Sequence, residues 1–192
     1  LKKVNLQRSN FEVEIIISDD GSTDKTIEYL KSNNDLYDKL IENKINRGKG
    51  AAIRSAINFT RGDIILIQDA DLEYDPDDYE KLIEPFLKYN ADVVFGSRFI
   101  SGTGPKRLHL FWHTVANKIL TLLTNIVTNL NMSDMETGYK LFKKKYIDPT
   151  KLEQDSFGIE PEITIKLAKQ KIKFFEVPIS YNGRSYDEGK KI

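Results

Sequence analysis

The stretch Ile64-Ile65-Leu66-Ile67-Gln68-Asp69-Ala70-Asp71-Leu72-Glu73 constrains this chain more than any other. Four consecutive aliphatic residues after Arg61-Gly62-Asp63 predict a strand buried on both faces. Carboxylates then recur at alternate positions, Asp69, Asp71 and Glu73. Burying a bare carboxylate costs several kcal/mol, so the acidic turn must leave the sheet at the strand's C-terminal end. That is the edge where open parallel sheets bind ligands. Oxygen donors on one short turn suit a hard divalent ion, Mg2+ or Mn2+, which keeps positions open for substrate phosphates. A metal–diphosphate site is expected here. Two plainer readings compete with it. An acidic turn is often only a solvated helix start. An EF-hand loop shares the spacing through Asp75, Asp77 and Glu80, but it needs Gly where this chain has Tyr74 and a helix where it has a strand.

Upstream, Val13 to Ser18 predicts a first strand running into Asp19-Asp20-Gly21-Ser22-Thr23-Asp24 and a helix over about 25–31. A carboxylate at such a strand end can bond a ribose or base, as in other nucleotide-binding sheets, or simply make the turn. Asn46-Arg47-Gly48-Lys49-Gly50 opens a helix to about Phe59. A basic, glycine-bearing helix start is either an anion site, with Lys49 on a nucleotide's phosphates, or an eased turn.

Beyond the acidic turn, residues 77–90 predict a helix that Pro85 should kink or shorten. Ala91 to Gly96 is another buried strand, delivering Ser97 and Arg98 to the same edge. Strands and helices alternating at this spacing mean an α/β, mostly parallel sheet flanked by helices. From Trp112 to Leu130 apolar residues recur at helical spacing. That face either packs on the domain or lies on a membrane surface with Phe111 and Trp112 exposed. His109 and His113 stand one turn apart and are expected to contact phosphate rather than metal. A polar loop over 134–140 leads into a short strand, Ser156 to Glu162 starts a helix, and Lys173 to Ile179 forms the last strand. The tail from Tyr181 to Lys191 is cationic and rich in glycine.

Composition narrows the function classes. Lys+Arg and Asp+Glu both number 29 in 192 residues, so no net field argues for nucleic acid. The absence of cysteine excludes disulfides, thiolate metal sites and a thiol nucleophile. No apolar run approaches the roughly 18 residues of a membrane span. The chain starts at Leu1 and is expected to be one catalytic domain, a fragment cut at both ends.

Taken in order, Asp-Asp-Gly-Ser-Thr-Asp, Asn-Arg-Gly-Lys-Gly, Asp-Ala-Asp-Leu-Glu, Gly-Ser-Arg, Glu-Thr-Gly-Tyr-Lys and Glu-Gly-Lys-Lys resemble the inverting glycosyltransferases of family 2. Within that family they look most like the polyprenyl-phosphate sugar transferases of the dolichyl-phosphate mannose synthase type. The resemblance implies a GT-A fold, Rossmann-like, whose first strand and Pro-x-Tyr-Asn-Glu turn have no counterpart in this sequence. It implies that Asp20 contacts the nucleoside, with Asp19 beside it, and that Asp69, Asp71 and Glu73 hold the cation on a UDP- or GDP-linked sugar. Arg98, His109 and His113 would receive the phosphate of a polyprenyl acceptor at the cytoplasmic face of a membrane. Arg184 and Lys190 would close over the donor's diphosphate. If the acceptor is instead a hydroxyl on a glycan, a carboxylate base is needed, and Glu136 or Asp134 is the candidate. A nucleotide-sugar-binding remnant without activity is the third reading.

Overall fold

The structure is a computed structural model that describes residues 11–100 and 110–183. The chain runs β1 (Ile16–Asp19), α1 (Thr26–Ser32), β2 (Lys39–Glu42), α2 (Lys49–Ile57), β3 (Ile64–Ile67), α3 (Tyr79–Tyr89) and β4 (Val93–Ser97). It continues through α4 (Phe111–Thr128), β5 (Lys140–Lys143), α5 (Ile159–Ala168) and β6 (Phe174–Pro178). β1 and β2 pair in parallel, and the other strands form a sheet in the order β3-β5-β4-β6. β4 and β6 are parallel, whereas β5 runs antiparallel between β3 and β4. The alternation of strand and helix is as the sequence predicts, with one reversed strand at the centre.

Period-2 alternation explains the continuous apolar runs, because each central strand feeds two cores. Ile65, Val93, Phe95 and Phe142 face a core closed by Ile57 of α2 and by Ile159, Ile163 and Leu167 of α5. Val94 and Leu141 face the opposite core, with Tyr74, Leu82 of α3, Tyr139 and Ile179. Phe142 is wholly buried, and truncating such a side chain to Ala costs about 3–5 kcal/mol. Pro85 does not stop α3. The helix runs one turn past it and ends at Asn90, whose left-handed backbone (φ 51°) closes the helix.

α4 corrects an expectation. Packed on the domain by its apolar face, it would bury Ile119, Leu122, Leu123, Ile126 and Val127. All five are instead more than half exposed, as are Phe111 and Trp112. The buried residues of this helix are Asn117, Thr121 and Thr124. It is built inside out, because its inward neighbours are polar loop groups that need hydrogen bonds. Thr121 donates to Asn117 and accepts from the Met135 amide, and Asn125 exchanges two bonds with the Met132 backbone.

Candidate functional site

Because β5 is reversed, the loop that precedes it arrives at the C-terminal ends of β3 and β4. Lys140, the first residue of β5, stands opposite both Ile67 and Phe95. The acidic turn after β3, Arg98 after β4 and the 134–138 loop therefore share one edge. Gly138 marks how closely they meet. A Cβ there would lie 2.6 Å from the Asp69 carboxylate and 3.0 Å from the Tyr74 ring, so only glycine fits. The Gly138 amide donates to the Tyr74 hydroxyl at 2.7 Å.

Lys49, in the first turn of α2, reaches across to the acidic turn. Its ammonium lies 2.8 Å from Asp69 and 2.7 Å from Glu160 of α5. Burial alone would push its pKa down, but the Asp69 and Glu160 carboxylates outweigh that and hold it above the ordinary lysine range. Asp71 accepts from the Glu73 amide at 3.2 Å. The Glu73 carboxylate takes the Tyr181 hydroxyl at 2.8 Å. Among the described residues no three His, Cys, Asp or Glu side chains converge as an ion cage. Asp69 and Asp71 offer hard oxygen donors at the strand end, which fits a Mg2+ or Mn2+ ion completed by substrate phosphate, while Glu73 is turned to Tyr181.

The backbone N–H groups of the basic helix start are held by the chain itself. The Arg47 amide donates to both Asp20 oxygens at 3.1 Å, and the Gly48 amide donates to the same carboxylate. The Ala51 amide is taken by the Asp155 carbonyl at 3.1 Å. Of the two readings of this helix start, an anion site or an eased turn, these bonds favour the turn, because the chain's own oxygens occupy the N–H groups. Gly48, at φ 105°, and Gly50 permit this packing, since a Cβ on either would strike the 154–155 backbone. Asp19 is buried and accepts from the Gly21 and Ser22 amides at 3.0 Å each. Asp19 and Asp20 thus shape the strand-end turn, and Lys49 reaches the acidic turn through its side chain.

Arg98 donates through Nε and Nη2 to the two oxygens of Asp134, 2.7 Å each. Tyr181 lies over the guanidinium, 5.1 Å from ring centre to Cζ. Asp134 is fully buried and also takes Asn117 of α4 at 3.0 Å. Burial would raise its carboxyl, yet Arg98 wins and holds it below the usual range. Such a carboxylate is held by its partner and is the weaker of the two candidate bases. Glu136 differs. Burial and the nearby Glu160 charge push its carboxyl up, which makes it the better proton acceptor.

Beneath the 134–138 loop, Lys140 is completely buried and donates to the Met135 carbonyl at 2.7 Å and to the Thr137 carbonyl. Its desolvation lowers its pKa to about 8. Glu176 of β6 completes the support by accepting from the Ser133 amide at 3.0 Å. Sequence reasoning missed Lys140, Glu160, Asn117 and Tyr181. A lysine set among the apolar residues of Tyr139-Lys140-Leu141-Phe142 was one available signal, and the polar stripe of Asn117, Thr121 and Thr124 at helical spacing was another. His113 lies in the first turn of α4. His109, Arg184 and Lys190 lie outside the described residues.

A family model described as Glycosyl transferase family 2 matches residues 1–149. The chain is 29% identical to a dolichol-phosphate mannosyltransferase of Pyrococcus furiosus, covering 96% of this chain and 52% of that protein. It is 27% identical to a dolichyl-phosphate beta-glucosyltransferase of Trichomonas vaginalis, covering 95% of this chain and 58% of the relative. It therefore spans little more than half the length of these relatives. Among solved structures it resembles glucosyl-3-phosphoglycerate synthase from Mycobacterium tuberculosis, in complex with Mn2+, UDP and phosphoglyceric acid. That likeness has a TM-score of 0.65 at 19% identity and covers 91% of this chain and 62% of the other, a match of fold.

Proposed function

The chain belongs to glycosyltransferase family 2, and from that premise we propose that it moves a hexose from a nucleotide-sugar to a polyprenyl phosphate at a membrane surface. The observation that carries this reading is the inside-out α4. Its apolar arc faces away from the domain, while its inward Asn117 holds the Asp134 that orients Arg98. One helix thus joins a lipid-compatible surface to a cation suited to a lipid's phosphate. No helix among the described residues is long and apolar enough to cross a membrane, and in this reading α4 rests its exposed arc on the bilayer surface. The names of the two dolichyl-phosphate relatives support the same acceptor class.

In this reading Asp69 and Asp71 hold a Mg2+ or Mn2+ ion, which when bound neutralises charge on the departing nucleoside diphosphate. Asp134 fixes Arg98 so that Nη1, outside the ion pair, points its N–H groups at the acceptor phosphate. A phosphate monoester is largely dianionic at neutral pH, so this nucleophile needs positioning more than a base. His109 and His113 assist at the acceptor end, Arg184 and Lys190 at the donor's diphosphate, and Asp19 and Asp20 line the nucleoside end.

A second reading has one observation in its favour. The raised carboxyl of Glu136 would suit a general base for a glycan hydroxyl. The assay that separates them follows labelled sugar from nucleotide into an organic-extractable product, with polyprenyl phosphate and with an oligosaccharide as alternative acceptors. Label that enters only the oligosaccharide overturns the lipid reading.

A further inference from the structure

Resting on the donor reading above, we propose that Glu160 recognises the donor's sugar ring, its Oε2 accepting a hydrogen bond from a hexose hydroxyl. Glu160 lies in the first turn of α5 and is 6% exposed. Its Oε1 is 2.7 Å from the Lys49 ammonium. Its Oε2 is buried and has no hydrogen-bond partner among the described residues. A buried carboxylate oxygen left unmatched is expensive, and native folds keep such groups where a ligand completes them. Lys140 does not serve it, because that ammonium is committed to the carbonyls of Met135 and Thr137.

The position of Glu160 selects the ligand. Through Lys49 it shares an ammonium with Asp69, at the diphosphate end of the site. It also lies close enough to the 134–138 loop, the acceptor end in that reading, for its charge to raise the Glu136 carboxyl. In a nucleotide-sugar the hexose lies between those ends, bonded to the diphosphate on one side and attacked from the other. A carboxylate only accepts hydrogen bonds, and a hexose presents a ring of hydroxyl donors. The same oxygen offers nothing to the nucleoside diphosphate that leaves, since that product has no hydroxyl in this stretch.

The test is calorimetric titration with Mn2+ present, using UDP-glucose and GDP-mannose as donors and UDP and GDP as their sugar-free counterparts. It compares the wild-type chain with Glu160→Gln and Glu160→Ala. In the Gln variant Lys49 takes the amide oxygen, so the amide NH2 meets the sugar with the wrong polarity. Both variants should bind the sugar-nucleotide roughly ten- to hundredfold more weakly, the loss expected for a hydrogen bond to a charged group. UDP or GDP affinity should stay within about twofold, and its retention reports a folded site. Deoxy-sugar donors lacking the recognised hydroxyl should bind the wild-type chain and Glu160→Ala alike. Equal weakening of donor and sugar-free nucleotide would overturn the proposal, because Glu160 would then act only through Lys49 and Asp69. An unchanged donor affinity would overturn it too. A wild-type chain that binds none of the four nucleotides would remove the donor reading itself, and this inference with it.

Discussion

The Asp134 carboxylate and the Arg98 guanidinium face each other through two parallel hydrogen bonds, both 2.7 Å, with Asp134 fully buried. Removing one partner of a buried pair strands the other charge. Asp134→Asn should therefore lower stability by about 3–5 kcal/mol, read by urea unfolding at neutral pH. The pH dependence has a fixed sign. The Asp134 carboxyl is held below its ordinary range, so its contribution is present above the unfolded value and disappears as pH falls through the folded one. The gap between wild-type and variant should close in acid. A gap that is constant with pH would mean that the pair is not ionic.

Glu136 predicts the opposite sign. Its carboxyl is raised by burial and by Glu160, so the folded state favours the protonated form and loses stability as pH rises above the unfolded value, about 4.3. Glu136→Gln carries no such charge and should be the more stable protein at pH 7, with no advantage at pH 3. Activity discriminates the two acceptors. With a lipid phosphate, Glu136→Gln should cost less than about tenfold, whereas a hydroxyl acceptor would make the loss 10²- to 10⁴-fold, roughly the worth of a general base.

Asp71→Asn keeps the shape of the turn and removes one of two anionic donors. Substituting groups that merely support metal ligands costs about 10- to 100-fold in affinity, and a direct ligand should cost no less. Titrating Mn2+ in the presence of UDP measures it. Unchanged Mn2+ affinity would remove Asp71 from the cation site.

Lys140 ties chemistry to pH on the alkaline side. Its folded pKa, about 8, lies below the unfolded value of about 10.4. Between those values the unfolded chain binds more protons, so wild-type stability should rise with pH across that window. Lys140→Met leaves the Met135 and Thr137 carbonyls without their donor and should cost about 1–3 kcal/mol at pH 7. It should also abolish the alkaline rise. Urea unfolding at intervals from pH 7 to 10.5 tests both effects.

The outward arc of α4 gives the last prediction. Leu122 and Ile126 are 58% and 69% exposed, so the double change Leu122→Asp, Ile126→Asp should leave the domain's stability nearly intact. Sedimentation with phospholipid vesicles should fall by at least about tenfold, since inserting one such side chain is worth about 1.5–3 kcal/mol. Equal sedimentation of variant and wild-type protein would detach α4 from the membrane.

The parts of this fold that the sequence made legible are those with a short period. Ile64–Ile67 and Val93–Ser97 announce themselves as strands because both faces are apolar, and the acidic turn must follow because carboxylates cannot stay inside. The direction of β5 is not written in its four residues, because antiparallel and parallel strands share a period of 2. α4 was legible as an amphipathic helix but not in its orientation, which depends on what the 132–135 loop needs. Asn117, Thr121 and Thr124 already formed a polar stripe at helical spacing. Lys140, Glu160 and Asp134 owe their roles to partners far along the chain, such as the pair Lys49–Glu160, and no local pattern records such a pairing.

The central place of β5 has a consequence for synthesis. Among the described residues β3 pairs only with β5, and β4 only with β5 and β6. When Ile64–Ile67 emerges from the ribosome, its neighbour Lys140–Lys143 has not yet been made. At roughly 5–20 residues per second, the first strand of this sheet waits several seconds with its edge toward β5 unpaired. The nascent chain is most open to aggregation in that interval, and most in need of a chaperone. A change that slows translation between β3 and β5 would lengthen the exposure without altering one contact of the finished protein.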